Sequence, residues 1–147
     1  MNDIKLMNKA ADNIRILAAS MVEKAKSGHP GGAMGGADFV NVLFSEFLVY
    51  DPKNPAWEGR DRYFQDPGHM SPMLYSVLAL AGKFTIDELK EFRQWGSVTP
   101  GHPEVNVMRG IENTSGPLGQ GHTYAVGAAI AAKSLRNLFL DATIGYI

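Results

Sequence analysis

The sequence has 147 residues, 45% of them apolar and 20% charged, enough for one folded domain with a buried core and unlike a disordered chain. A formal net charge of −1, with Lys and Arg scattered, excludes the basic footprint that nucleic acid or an anionic membrane surface would require. The absence of cysteine rules out disulfides and thiolate metal sites and suits a reducing compartment, so a cytoplasmic location is expected.

From about Ile4 to Lys26, apolar Ile14, Leu17, Ala18, Met21, Val22 and Ala25 recur at spacings of three and four, with Arg15, Glu23 and Lys24 on the other side. That period predicts an amphipathic helix, and its interspersed charges exclude a signal peptide or a membrane span. Ser27-Gly28 should end it. A glycine loop is expected next, in which Gly31-Gly32-Ala33-Met34-Gly35-Gly36 lets the chain pass close against another element. About Ala37 to Val49 predicts a second helix with Asp38 in its first turn. Asp51-Pro52-Lys53-Asn54-Pro55 reads as a turn-rich linker, and Arg62-Tyr63-Phe64-Gln65 as a short strand.

Ser71 to Ala81 is apolar enough for a buried helix stopped by Gly82, and Thr85-Ile86-Asp87-Glu88 is a capping box opening a helix to about Trp95. Residues 96–120 are rich in Gly, Pro, Ser and Thr, and an irregular stretch of that length inside a domain is usually functional. Gly121 to Leu138 returns to helix, with early positions so small that something must pack tightly on them. Ala142-Thr143-Ile144-Gly145-Tyr146-Ile147 reads as a buried parallel strand. A core strand needs neighbours, and at most one weak companion is present. The expected architecture is therefore the helix-rich opening part of a three-layer α/β domain with its sheet largely missing. Its glycine-rich loops should gather at one rim beyond the strand ends.

All four histidines follow a glycine: Gly28-His29, Gly68-His69, Gly101-His102 and Gly121-His122. One such pair is an ordinary turn with a solvated imidazole; four suggest imidazoles projected from places where backbone approaches a ligand closely. Ser115-Gly116-Pro117-Leu118-Gly119-Gln120-Gly121 leads into a helix whose free N–H groups could face an anion or a flat ring. It matches neither the P-loop nor the strand-borne dinucleotide fingerprint.

In order, Ser27-Gly28-His29-Pro30-Gly31, Asp61-Arg62-Tyr63 with Gly68-His69, Thr99-Pro100-Gly101-His102-Pro103-Glu104 and Gly116-Pro117-Leu118-Gly119-Gln120-Gly121 resemble the amino-terminal region of transketolase. The resemblance runs from about Ala11 to Lys133. It implies a thiamine diphosphate-binding domain, with Mg or Ca as metal, that transfers a two-carbon ketol unit from a ketose phosphate to an aldose phosphate. It implies that His29 and His102 are catalytic, contacting donor oxygens, and that His69, Gly116 and Leu118 bind the cofactor. His122 stands where the family has an aliphatic residue and is expected to be structural or solvated. Met70 and Pro67 depart from the family pattern around His69.

The family's metal motif, Gly-Asp-Gly followed later by Asn, is expected just beyond residue 147, so no metal ligand is assigned and residues 1–147 read as a partial cofactor-binding domain. A homodimer is implied for the complete enzyme and self-association for this segment, which alone should be inactive. Alternatives are a dihydroxyacetone synthase, the amino-terminal subunit of a split transketolase, and a non-catalytic remnant that binds a partner.

Overall fold

Asp3 starts the first helix, its carboxylate accepting the Lys5 N–H at 2.9 Å, and α1 then runs Ile4–Ala25. The computed structural model describes residues 2–139, so the expected strand Ala142–Ile147 lies outside the described residues. Ala11, Ile14, Ala18 and Met21 form the buried face of α1, and Lys26 ends the helix in the left-handed region at φ 50°. Against that face lies α4, Ser71–Leu80, in which every residue from Ser71 to Leu78 is buried. Leu74, Tyr75 and Leu78 are at most 2% exposed, and burying each such side chain stabilises the fold by about 1.5–3 kcal/mol. Phe84, Leu89, Phe92 and Ile111 complete the core from the later segments.

The glycine loop expected after α1 is instead a helix, α2, Pro30–Gly35, with Pro30 at its first position. Glycine disfavours helix, yet tertiary packing overrides that cost here. A Cβ on Gly32 would lie 2.9 Å from Met70 Cγ and one on Gly36 2.6 Å from Met73 Sδ, so bare backbone lets this segment settle onto those methionines. The next predicted helix is α3, Ala37–Val42, which continues as a wider π-helical turn, Leu43–Phe47.

α5 carries the predicted capping box, with Thr85 Oγ1 and the Glu88 carboxylate each accepting the other's backbone N–H, but it spans only Ile86–Lys90. The chain then turns, Arg93 adopting φ 61° and Gly96 φ 73°, so the helix expected to Trp95 stops early. A single 3-10 turn, Val107–Arg109, interrupts the irregular stretch before α6, Gln120–Phe139.

The strand expected at 62–65 does not form. Among the described residues the only ladder pairing is an isolated antiparallel bridge between Asn106 and Ile111. Buried Gln65 finds a side chain instead of a strand: its N–H donates to Asn113 Oδ1 at 2.9 Å and its carbonyl accepts from Asn113 Nδ2 at 3.2 Å. Nearby, Arg60 grips Glu112 with two bonds, Nε to Oε1 at 2.8 Å and Nη2 to Oε2 at 3.1 Å. Both side chains are at most 10% exposed.

Removing one partner of such a pair leaves a buried charge behind. Glu112→Ala should lower stability in urea denaturation by about 3–5 kcal/mol, whereas replacing both residues together (Arg60→Met with Glu112→Leu) should lower it far less.

Candidate active site

Each of the four histidines is set on a close approach that its preceding glycine permits. A Cβ at Gly28, where φ is +129°, would lie 3.1 Å from Val22 Cγ2 and 3.3 Å from the Phe92 ring. At Gly68 it would meet the Ser115 carbonyl oxygen at 2.7 Å, at Gly101 Arg93 Nε at 2.8 Å, and at Gly121 the Gln65 carbonyl oxygen at 2.6 Å.

Three of these turns converge. The His29 and His69 rings stand 4.8 Å apart between centroids, tilted by 51°. His102 Nδ1 is 3.9 Å from the point a Cβ on Gly116 would occupy. Partial desolvation holds the His102 imidazole below its ordinary pKa, with further lowering from the charge of Arg93 and the proximity of His69 and His29. A neutral His102 can donate from one ring nitrogen and accept at the other. An open cleft beside it is lined by Ser27, Arg93, Trp95, Gly101, His102 and Glu104. A separate apolar pocket between Phe44, Tyr50, Tyr63 and Leu78 contains no histidine.

α4 fixes the His102 segment from below: Ser71 Oγ donates to the Gly101 carbonyl at 2.7 Å and the Tyr75 hydroxyl to the Pro100 carbonyl at 2.8 Å. Burial pushes the Tyr75 phenol well above its usual range, with the Glu104 carboxylate adding to the effect, so it stays a neutral donor. The Ser115 N–H donates to the Pro103 carbonyl at 3.1 Å, joining the turn that bears Gly116 and Leu118 to the same segment. That turn is held from its far end too, where the Gly119 N–H donates to both Asp66 oxygens at 3.1 and 3.3 Å.

The structure thus brings His29, His69, His102 and Gly116 together. Leu118, on the adjoining turn, is 74% exposed. His122 stands apart: its side chain is 79% exposed and Nδ1 lies 2.5 Å from Asp66 Oδ2, a pairing that fits the expected structural role. Met70, the departure from pattern beside His69, is accommodated by Gly32 and Gly36. Pro67, the other departure, follows a cis peptide bond from Asp66. Residues overlooked in the sequence are Asp66, Arg93 and Ser115. Nothing local marks them, because their importance comes from partners as distant as Ser27 for Arg93, 66 residues away, and Gly119 for Asp66, 53 residues away.

The Ser115 hydroxyl is buried with no hydrogen-bond partner. Among the described residues no group of three or more His, Asp or Glu side chains could hold a metal ion, and no helix is long and apolar enough to cross a membrane.

A family model described as transketolase, thiamine diphosphate binding domain, matches residues 6–144. The chain belongs to the transketolase family. A transketolase of Buchnera aphidicola (subsp. Baizongia pistaciae) is 53% identical over 91% of this chain and 20% of its own length. The transketolase structure from Campylobacter jejuni superposes with a TM-score of 0.87 at 48% identity, covering 93% of this chain and 22% of that one. A Pichia stipitis transketolase in complex with sedoheptulose-7-phosphate does so with a TM-score of 0.81 at 45% identity, over 85% and 18%. The chain therefore spans about a fifth of the length of these relatives. The transketolase cofactor-binding domain is α/β, and the helices described here are a helical part of that fold.

The close approaches are directly testable. Gly68→Ala should lower stability by about 1–3 kcal/mol by forcing a methyl against the Ser115 carbonyl. Gly127→Ala in α6, where nothing lies within 4 Å of the new Cβ, should raise it by about 0.5–1 kcal/mol; thermal or urea melts of the two variants check both signs.

Proposed function

We propose that this chain forms part of a thiamine diphosphate-dependent ketol transferase, acting on a ketose phosphate donor and an aldose phosphate acceptor. The observation that carries this reading is the convergence of His29, His69 and His102 beside Gly116.

The residues fit the cofactor's chemistry. Gly116 leaves room beside the His102 ring, Leu118 offers an exposed apolar surface for an aromatic ring, and the unpartnered Ser115 hydroxyl has hydrogen-bonding capacity to spare. Thiamine diphosphate, when bound, supplies the carbon nucleophile and electron sink for cleaving the donor's carbon–carbon bond. His29 and His102 are assigned to the donor's carbonyl and hydroxyl oxygens, where an imidazole can both give and take a proton. His69 is assigned to the cofactor's diphosphate. Gly116 and Leu118 are assigned to its aminopyrimidine and to packing beneath it.

A divalent metal (Mg or Ca) and a homodimer belong to the same reading, with the metal's ligands outside the residues assigned here. The cysteine-free sequence suits a reducing cytoplasm. The names and complexes of the relatives favour a transketolase over a dihydroxyacetone synthase-type ketol transferase, a separate subunit or a partner-binding remnant.

In a complete enzyme containing this segment, His102→Ala should lower donor kcat/KM about 10- to 100-fold, the scale of a hydrogen bond lost at a reacting centre. His122→Ala should change it little, and equal losses in steady-state kinetics would overturn the site assignment. The 147-residue chain alone should bind thiamine diphosphate weakly. An exposed helix terminus contributes only ~0.3–1 kcal/mol, while micromolar affinity needs ~8 kcal/mol. Calorimetric titration with the cofactor and magnesium checks this, and micromolar or tighter binding would show that these residues hold more of the site than proposed.

A further inference from the structure

Phe92 and Arg93 are consecutive, and each supports a different histidine turn. The Phe92 ring lies beneath Gly28, where an added Cβ would come within 3.3 Å of it. The Arg93 guanidinium lies beneath Gly101, with Nε, Cζ and Nη2 at 2.8, 3.0 and 3.2 Å from the corresponding point. Arg93 also bonds to both segments: its backbone N–H donates to the Thr99 carbonyl at 3.0 Å and Nη1 donates to Ser27 Oγ at 3.0 Å. One residue thus joins the turn before His29 to the turn before His102.

Two unfavourable features accompany this arrangement. Arg93 is a non-glycine residue at φ 61°, and its buried Nε has no hydrogen-bond partner. Such features persist where the surrounding structure over-determines them, and they concentrate at functional sites.

We propose that Arg93 is a positioning residue, clasping the His29 and His102 turns at a fixed separation and presenting its cation to the cleft they share. This rests on the assignment of those two histidines to the active site. The guanidinium is a planar fork, so it can lie flat under Gly101 while one arm reaches Ser27; an ammonium cannot do both. The ionisable groups facing His102 are Arg93 after α5, His69 in the 3-10 turn Gly68–Met70, His29 before α2, and Glu104 in its own segment. Among these, Arg93 is the permanent cation, and it opposes protonation of His102.

Imidazole NMR of the 147-residue chain, titrated with pH, tests the proposal without cofactor or substrate. In Arg93→Gln the His102 midpoint should rise toward the ordinary ~6.5, and the His29 and His102 resonances should both move. In Arg93→Lys the charge remains, so the midpoint should stay near that of the unmodified chain while both resonances still move. Ser27→Ala removes the exposed acceptor alone, and should shift both resonances with the midpoint unchanged; it decides the matter should Arg93→Gln fail to fold. An unmoved His102 midpoint in folded Arg93→Gln, or unmoved His29 and His102 resonances in Ser27→Ala, would overturn the proposal. Neither result depends on ketol transfer: failure of His102→Ala to affect turnover would instead count against the histidine assignment itself.

Discussion

The backbone at Gly68 lies against the carbonyl of Ser115, 47 residues later, with no space for a side-chain atom between them. That contact joins the turn bearing His69 to the turn bearing Gly116, and the remaining site geometry builds on it. The Ser115 N–H continues the connection to Pro103, immediately after His102, and α4 anchors the same segment through Ser71 and Tyr75. A side chain at Gly68 would force these layers apart. Glycine therefore serves here by letting two stretches of main chain meet, and the imidazoles are positioned as a consequence.

The long irregular stretch is kept rigid by polar groups rather than by a sheet. Thr99 is fully buried, donating from Oγ1 to the Glu88 carbonyl at 2.9 Å and from its N–H to Ser97 Oγ at 3.0 Å. Glu88 caps α5 and also pairs with Arg109 at 2.7 Å, and this pairing with the capping bonds lowers its carboxyl to about 2. The Gln65–Asn113 amide pair and the Arg60–Glu112 ion pair do the same for the 60–65 strip. Because these buried groups are matched to specific partners, the loop has one low-energy path instead of many.

Three helices were readable from the sequence: α1 from its three-and-four spacing, α4 from its continuous apolar run, and α6 from its alanine-rich opening, although most described side chains of α6 are exposed and the tight packing expected on its small residues is not seen among them. α2 was not, since its glycines argue against a helix until Met70 and Met73 are seen packed on them. The 62–65 strip has strand-like residues, but Asn113 supplies the pairing that a strand would. The Gly-His pairs located the convergence of three histidines, and the resemblance separated His122 from them. Arg93 escaped both routes. Its local sequence extends a helix, and only the approach of Gly101 and Ser27 gives it another task.

Placing three imidazoles and a guanidinium at one site constrains how the fold responds to acid. His102 has a folded-state pKa below its unfolded value, so below ~6.5 the unfolded chain takes up a proton that the folded chain resists. Its effect on stability is therefore absent at neutral and higher pH and becomes unfavourable as pH falls through the unfolded value toward the folded one. The exposed rim lets solvent moderate that cost, and relaxation of the cleft would moderate it further. The groups that oppose relaxation are those that join the turns: the Gly68–Ser115 contact, the α4 hydroxyls and Arg93. Rigid turns preserve a neutral His102, and a neutral His102 is the form able both to accept a proton from a substrate hydroxyl and to return one. The close packing of backbone and the proton chemistry thus share one physical origin.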